Sequence, residues 1–310
     1  MGAEPINIEG NDSSAFIVSP QAQSLPPVMQ APRLTAAGGE LLRELSALDE
    51  TGERRTLHVP IERPLRIIIN GRELVTLMTL GAKPELLVLG YLRNQRIIDR
   101  VTEIDSIDVD WAANSAVVVL RGAARADGQG APRVLGTACS LGTEFGELML
   151  QVDAAMLPQG EAALPQGETA PVGAARIRHS TLLRMLEITG EYDAIHRAAG
   201  SVHGCALFRG ADLLVSVEDV SRHNGLDTIT GWMLLYGVEA GDKTLFTTGR
   251  LTAEMVMKAA HNGLSIMVSR NGVTSMGYQL AVKLGMVLFG RAAKGRYLCY
   301  TGMDRFDTTR

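Results

Sequence analysis

Residues 213–236 read LLVSVEDVSRHNGLDTITGWMLLY, and the order of residue types in this stretch sets the fold class. The apolar run 213–217 is short and rich in leucine and valine, which suits a strand bounded by polar residues. Asp219-Val220-Ser221-Arg222-His223-Asn224 then packs charge, imidazole and amide into a turn. A helix over 224–236 follows, entered from that turn. The same alternation runs through the rest of the C-terminal half. Strands are expected at 205–208, 244–247, 265–268, 287–289 and 297–300, and helices at 182–189, 253–262 and 275–284. Strands alternating with helices predict an α/β fold, here a three-layer αβα sandwich of the kind also used by cytidine deaminases.

Upstream the pattern differs. Residues 65–69 read as a strand, Asn70-Gly71 is a hairpin turn signal, and 73–79 returns as a second strand. Lys83-Pro84-Glu85 opens a helix with Leu86, Leu87, Leu89 and Leu92 on its apolar stripe. Strands at 101–109 and 115–120 complete a small N-terminal α+β module. Before residue 54, Ser19-Pro20, Pro26-Pro27, Pro32 and Gly38-Gly39 break any periodicity. The expected organisation is a flexible lead-in over 1–53 and an α+β domain over 54–156. A Pro/Gly linker follows over 157–175, where Leu-Pro-Gln-Gly-Glu occurs twice, and an α/β domain over 176–310.

Composition limits the function classes. The 310 residues carry a formal net charge of -4, so no strongly basic surface points to nucleic acid or anionic lipid. Three cysteines, Cys139, Cys205 and Cys299, do not make a disulfide framework. Residues 1–10 carry charge and no apolar run, and no apolar stretch reaches the roughly 20 residues of a membrane helix. A cytoplasmic protein is expected, with neither nucleic acid nor membrane as partner.

Several residues carry chemistry. Cys139 lies in Gly136-Thr137-Ala138-Cys139-Ser140-Leu141-Gly142-Thr143, where small neighbours leave a thiol accessible and loop amides favour a thiolate. A small apolar filler is the plainer reading of the same residue. Cys205 and Cys299 sit in apolar strand-like runs and read as core. In the turn 219–224, Arg222 and His223 suit a ligand with phosphate or a heterocycle. The structural alternative makes Asn224 the helix cap, with Asp227 in the first turn. His203 precedes a strand, a position more often structural. Arg250, after Thr247-Thr248-Gly249, stands at a strand's carboxyl end, where α/β sheets bind ligands. Glu254 and Lys258 are spaced as an ordinary helical ion pair. Arg291-Ala292-Ala293-Lys294-Gly295-Arg296 links the last two strands and offers either a phosphate site or a solvated basic turn. No zinc-deaminase, Walker or nucleophile-elbow motif is present, so no metal held by side chains is expected.

Several blocks in one order resemble a known family. They are Glu62-Arg63-Pro64-Leu65 through Asn70-Gly71, then Leu89-Gly90-Tyr91-Leu92 up to Ile97-Ile98. Next comes the run Glu218-Asp219-Val220-Ser221-Arg222-His223-Asn224-Gly225-Leu226-Asp227. Thr248-Gly249-Arg250 with Glu254, Val256 and Lys258 follows, then Thr274-Ser275-Met276-Gly277. Together they resemble the formate dehydrogenase accessory sulfurtransferase family (FdhD/NarQ). The resemblance implies a carrier that takes persulfide sulfur from a cysteine desulfurase. It would pass that sulfur to the bis-molybdopterin guanine dinucleotide cofactor of formate dehydrogenase. It also implies a homodimer. Cys139 takes the first place of the family's C-x-x-C, and Gly142 stands in the second, which implies a one-thiol carrier. The cofactor's GDP-like moiety would meet His203, Arg222, His223, Arg250 and the turn Arg291, Ala292, Ala293, Lys294, Gly295 and Arg296. In that turn Arg291 replaces the family's usual aromatic. The alternative is a chaperone that binds the cofactor or its enzyme without carrying sulfur.

Overall fold

A computed structural model describes residues 15–122, 133–135 and 174–309. Cys139, Gly142 and the expected linker up to residue 173 lie outside the described residues. The described chain has an α/β fold with two large mixed sheets.

The first sheet has the order β2 (Arg33–Leu34), β7 (Ile104–Asp110), β8 (Ser115–Leu120), β5 (Arg63–Ile69), β6 (Arg72–Thr79), β9 (Arg133–Leu135). The Asn-Gly signal is realised at β5–β6. Ile69 pairs with Arg72, and Asn70 and Gly71 both take positive φ, at 46° and 82°. That is the geometry of a two-residue turn matched to strand twist. Helix α2 (Pro84–Asn94) starts on its proline, as expected.

The second sheet has the order β1 (Phe16–Val18), β12 (Asp212–Asp219), β11 (His203–Arg209), β13 (Lys243–Thr247), β14 (Ile266–Ser269), β15 (Val287–Ala293), β16 (Arg296–Thr301). Strands β13, β14 and β15 are parallel, and α6 (Ala253–His261) and α7 (Ser275–Lys283) make the two crossovers between them. Both faces of this sheet are covered. Cys205, Leu207, Val215 and Met267 face the core shared with α5 (Arg222–Tyr236), α6 and α7. Ala206, Phe208, Phe246 and Val268 face a second core with Leu182 and Met185 of α3 (His179–Thr189). Two covered faces explain why β13 and β14 are buried along their whole length.

Helices α2 and α5 lie against each other between the two sheets, and both are buried almost all round. Their crossing is closed by glycines. A Cβ on Gly90 would overlap the Asp227 carbonyl, and one on Gly231 would overlap the Leu86 carbonyl. No helix among the described residues is long and apolar enough to cross a membrane.

The chain before Arg54 differs from expectation, because it supplies strands paired to other strands. β1 pairs antiparallel with β12, Phe16 opposite Val217, and forms an edge of the second sheet. β2 pairs with β7, and β3 (Leu42–Leu48) forms a two-stranded ribbon with β4 (Arg54–Pro60). Proline interrupts helical periodicity but not extended chain. Ser19-Pro20 begins the short helix α1 (Pro20–Gln23) with Pro at its first position, where no amide is missed. The start of α5 also shifts, to Arg222 rather than Asn224, while its end at Tyr236 is as expected.

Candidate functional site

Strands β12, β13, β14 and β15 all run opposite to, or in parallel register beyond, the reversed β11. Their carboxyl ends therefore share one edge with the start of β11. Glu218–Arg222, Thr247–Arg250, Ser269-Arg270 and His203 all gather there. In α/β sheets this is the edge where ligands bind.

The turn after β12 is fixed by its own polar groups. Asp219 Oδ1 accepts from the Ser221 amide at 3.0 Å and from Asn224 Nδ2 at 2.8 Å. Its Oδ2 accepts from Thr79 Oγ1 at 2.5 Å and the Leu80 amide at 3.2 Å, which ties the turn to the end of β6. Burial, working against these bonds, pushes the Asp219 carboxyl up to about 6. The helix cap is Ser221, whose Oγ accepts from the His223 amide at 3.3 Å. Asn224 instead donates inward to the Met78 carbonyl at 2.8 Å. Asp227 sits deeper than a capping carboxylate and pairs with Lys258 at 2.9 Å, both side chains 2% exposed.

Glu218 orients the neighbouring helix. Its two carboxyl oxygens accept from the amides of Ile195 and His196, at 2.8 and 2.9 Å, in the first turn of α4 (Ala194–Ala199). Burial dominates and pushes Glu218 up to about 7 from its ordinary 4.5, against the two amide bonds. A carboxyl whose folded pKa is raised binds its proton more tightly when folded, so stability is greatest at low pH and falls as pH rises through 7. The window from 4.5 to 7 corresponds to about 3 kcal/mol. Glu218→Gln should flatten this slope. Urea unfolding at pH 5.5 and pH 8 reads it directly, and equal slopes for the two proteins would refute the assignment.

Three of the residues singled out in the sequence come together at the sheet edge. Arg222 and Arg250 both lie near enough to His203 to influence it. His203 is held below its ordinary value first by burial, then by its neighbours, Arg222 foremost and Arg250 among them. Arg222 is buried and Arg250 exposed. The Arg222 stem lies across Gly249, and Thr248 bridges to β11. The Thr248 amide donates to the Gly204 carbonyl at 2.8 Å, and Thr248 Oγ1 accepts from the Gly204 amide at 3.0 Å. Arg270 closes the edge through an ion pair with Asp193 at 2.6 Å.

His223 faces a different environment, a recess shared with Leu77, Met78, Tyr91, Gln95 and Glu254. Its Nε2 lies 3.3 Å from Glu254 Oε2. This is contact between a neutral imidazole and a carboxyl group. Burial, then the Lys258 and Arg222 charges, hold His223 down to about 2. Burial also pushes Glu254 up to about 7. Lys258 is the junction of this network. Burial works to lower its pKa, but Asp227 and Glu254 raise it above the ordinary value. The helical pair expected between Glu254 and Lys258 is present at 3.6 Å, but the shorter contact is to Asp227.

The stretch 291–296 forms a tight hairpin. Ala293 pairs with Arg296, and Lys294 and Gly295 take positive φ at 51° and 74°. Arg291, Lys294, Gly295 and Arg296 are exposed, whereas Ala292 is buried in the core beside α3. A run of hydrogen bonds leads from this turn to the sheet edge. The Arg291 amide donates to the Asn271 carbonyl at 2.7 Å, and the Asn271 amide donates to Ser269 Oγ at 2.9 Å. Ser269 Oγ donates in turn to the Gly249 carbonyl at 2.6 Å. Glu218, Thr248, Gly249 and Ser269 were not singled out for the site by their sequence, although the first three stand inside motifs that were.

The two described cysteines are structural. Cys205 donates to Thr247 Oγ1 at 3.2 Å, and burial pushes its thiol up to about 12. Cys299 is half-buried and raised for the same reason.

Comparison with known proteins finds relatives along most of the chain. A sulfur carrier protein FdhD of Halalkalibacterium halodurans is 29% identical over 268 residues, covering 85% of this chain and 94% of that protein. Its counterpart in Bacillus subtilis is 30% identical over 247 residues, covering 79% and 88%. A crystal structure of a candidate formate dehydrogenase accessory protein from Desulfotalea psychrophila shares the fold. Its TM-score is 0.66 at 24% identity, covering 86% of this chain and 98% of that one. The family model described as the FdhD/NarQ family matches residues 60–307, and the chain belongs to that family.

Proposed function

We propose that this protein is a sulfur carrier serving a molybdenum enzyme of the formate dehydrogenase type. The observation that carries the reading is the match to sulfur carrier relatives along nearly their whole length. Arg222 and Arg250 beside His203 support it, because a carrier of an anionic nucleotide cofactor needs cationic side chains at its site. In this reading the second sheet and its helices form a sandwich of cytidine deaminase-like type. His203, Arg222 and Arg250 bind the phosphates of the cofactor's GDP-like moiety, His223 supplies a neutral imidazole nearby, and the Arg291–Arg296 turn extends the surface. The cofactor is substrate. The partners are a cysteine desulfurase, a formate dehydrogenase and a second copy of the chain, all in the cytoplasm.

Cys139 is the proposed carrier. As thiolate it attacks the terminal sulfur of the desulfurase persulfide. The donor S–S bond breaks, the donor cysteine leaves as thiolate, and a persulfide forms on Cys139. Cys205 and Cys299 are unsuited to this step, since a buried thiol held protonated is a poor nucleophile. Gly142, where the family's second cysteine stands, makes the transfer a one-thiol event.

The test is uptake of labelled sulfur from cysteine and a cysteine desulfurase, followed by mass spectrometry of the Cys139 peptide. One added sulfur is expected on the unaltered protein. Uptake should vanish in Cys139→Ser and persist in Cys205→Ser and Cys299→Ser. Full uptake by Cys139→Ser would end the proposal. The absence of any persulfide on the unaltered protein, with GDP binding intact, would favour a chaperone that does not carry sulfur, the reading Gly142 supports.

A further inference from the structure

We infer that Gly249 is a positioning residue, the surface that seats the Arg222 side chain in the anion site at the edge of the second sheet. The inference rests on the proposed reading of that edge as a phosphate-binding surface.

A Cβ on Gly249 would lie 2.6 Å from Arg222 Cδ, 2.8 Å from its Cβ and 3.2 Å from its Cγ. Real Cβ atoms do not approach neighbours that closely. The glycine is not needed for its backbone, because Gly249 is absent from the positive-φ positions, so alanine meets no conformational strain there. What the residue provides is space for one particular side chain.

Neither partner can step aside. The Gly249 amide donates to Thr247 Oγ1 at 3.1 Å, and its carbonyl accepts from the buried Ser269 hydroxyl at 2.6 Å. Arg222 is the first residue of α5, directly after the Ser221 cap, and its carbonyl accepts from the Cys205 thiol at 3.7 Å. The clash involves the root of the arginine stem as well as its flexible middle. Rotation about the outer torsions cannot relieve it. A methyl group at 249 therefore drives the Arg222 stem off the loop and changes where the guanidinium points. The three atoms nearest the added methyl all belong to Arg222, so the clash falls first on that side chain.

The experiment is titration calorimetry of the full-length chain with GDP, using Gly249→Ala, Arg222→Gly and the double variant. Losing a hydrogen bond to a charged group weakens binding by roughly tenfold or more. Gly249→Ala should lose about as much affinity as Arg222→Gly, and should lose nothing further when residue 222 is already glycine and the clashing Cβ is gone. A purely structural defect would instead weaken GDP equally in both backgrounds. That outcome, or unchanged affinity in Gly249→Ala, overturns the inference. Failure of the unaltered protein to bind GDP would overturn the phosphate reading itself, which is a separate result. Should Gly249→Ala not fold, Ser269→Ala applies the same test by freeing the Gly249 carbonyl. Its loss of affinity should likewise require Arg222. The Arg222 Nε–H resonance gives an independent check and should move in either variant.

Discussion

Lys258→Met is expected to lower the unfolding free energy by about 3–5 kcal/mol, the range for removing one partner of a buried ion pair. Lys258 and Asp227 lie 2.9 Å apart with 2% of each side chain exposed, so water cannot replace the lost ammonium. Asp227 keeps its bond from Asn94 Nδ2 at 2.6 Å, which offsets only part of the loss. The carboxylate left behind has one remaining escape, which is protonation. Burial already raises Asp227, and Lys258 is the first of the groups that pull it back. Without Lys258 the folded form binds that proton more tightly still. The deficit should therefore be largest at neutral and alkaline pH and shrink as pH falls through the raised pKa. Asp227→Asn in the Lys258→Met background removes the stranded charge while keeping an acceptor for Asn94. The double variant should be more stable than Lys258→Met alone, and urea midpoints at pH 5.5 and 8 report both effects. A double variant no better than the single would refute the account. His223 gives a second signature. Lys258 is only the second cause of its low pKa, after burial, so its imidazole should stay neutral at pH 6 in the single variant.

That network shows where sequence reasoning reaches and where it stops. Spacing revealed the pair Glu254 and Lys258, because a helix brings positions four apart onto one face. It could not reveal Asp227, which lies 31 positions away and meets Lys258 only because α5 and α6 pack together. The same limit explains β1. Phe16-Ile17-Val18 has strand character, but its partner is 215–217, and nothing local to a stretch full of proline reports a neighbour that distant. Where the physics is local the reading succeeded. Asn70-Gly71 made its turn, and Pro84 opened its helix. Ser221 and Asn224 mark the boundary between the two cases. Both are favoured cap residues, and the choice fell to Ser221 because Asn224 is recruited by Asp219 and the Met78 carbonyl. For the site, His203, Arg222 and Arg250 were legible as residue types near strand ends. Gly249 and Ser269 were not, since their roles are a volume left empty and a bond across the sheet edge. Cys139 is known from sequence alone.

Gly90→Ala sets two principles against each other with opposite signs. Helix propensity favours alanine over glycine in a helix interior by about 1 kcal/mol, and Gly90 lies well inside α2. Packing opposes it, because the added Cβ would overlap the Asp227 carbonyl and stand 2.7 Å from the Gly231 amide nitrogen. Both obstacles are helix backbone, so no side-chain rotation relieves the overlap, and α2 must move away from α5. Movement there is costly. It opens a core in which Leu86, Leu89 and Trp232 are buried, and it stretches the bond from Asn94 to Asp227. Overpacking of well-packed interiors costs about 1–3 kcal/mol when side chains can adjust, and a contact between backbones belongs above that range. Packing should win, with a net loss of more than about 3 kcal/mol and a fall in Tm of roughly 6–12 °C for a domain of this size. Gly241→Ala is the control. Nothing lies within 4 Å of its Cβ position and its φ is not positive, so its stability should stay within about 0.5 kcal/mol of the unaltered protein. A Tm that rises in Gly90→Ala would mean that propensity governs the site and that the two helices do not cross at backbone contact. A fall confined to Gly90→Ala would show that the glycines set the spacing between the two sheets. It is across that spacing that Thr79 and Asn94 reach Asp219 and Asp227 beside the candidate site.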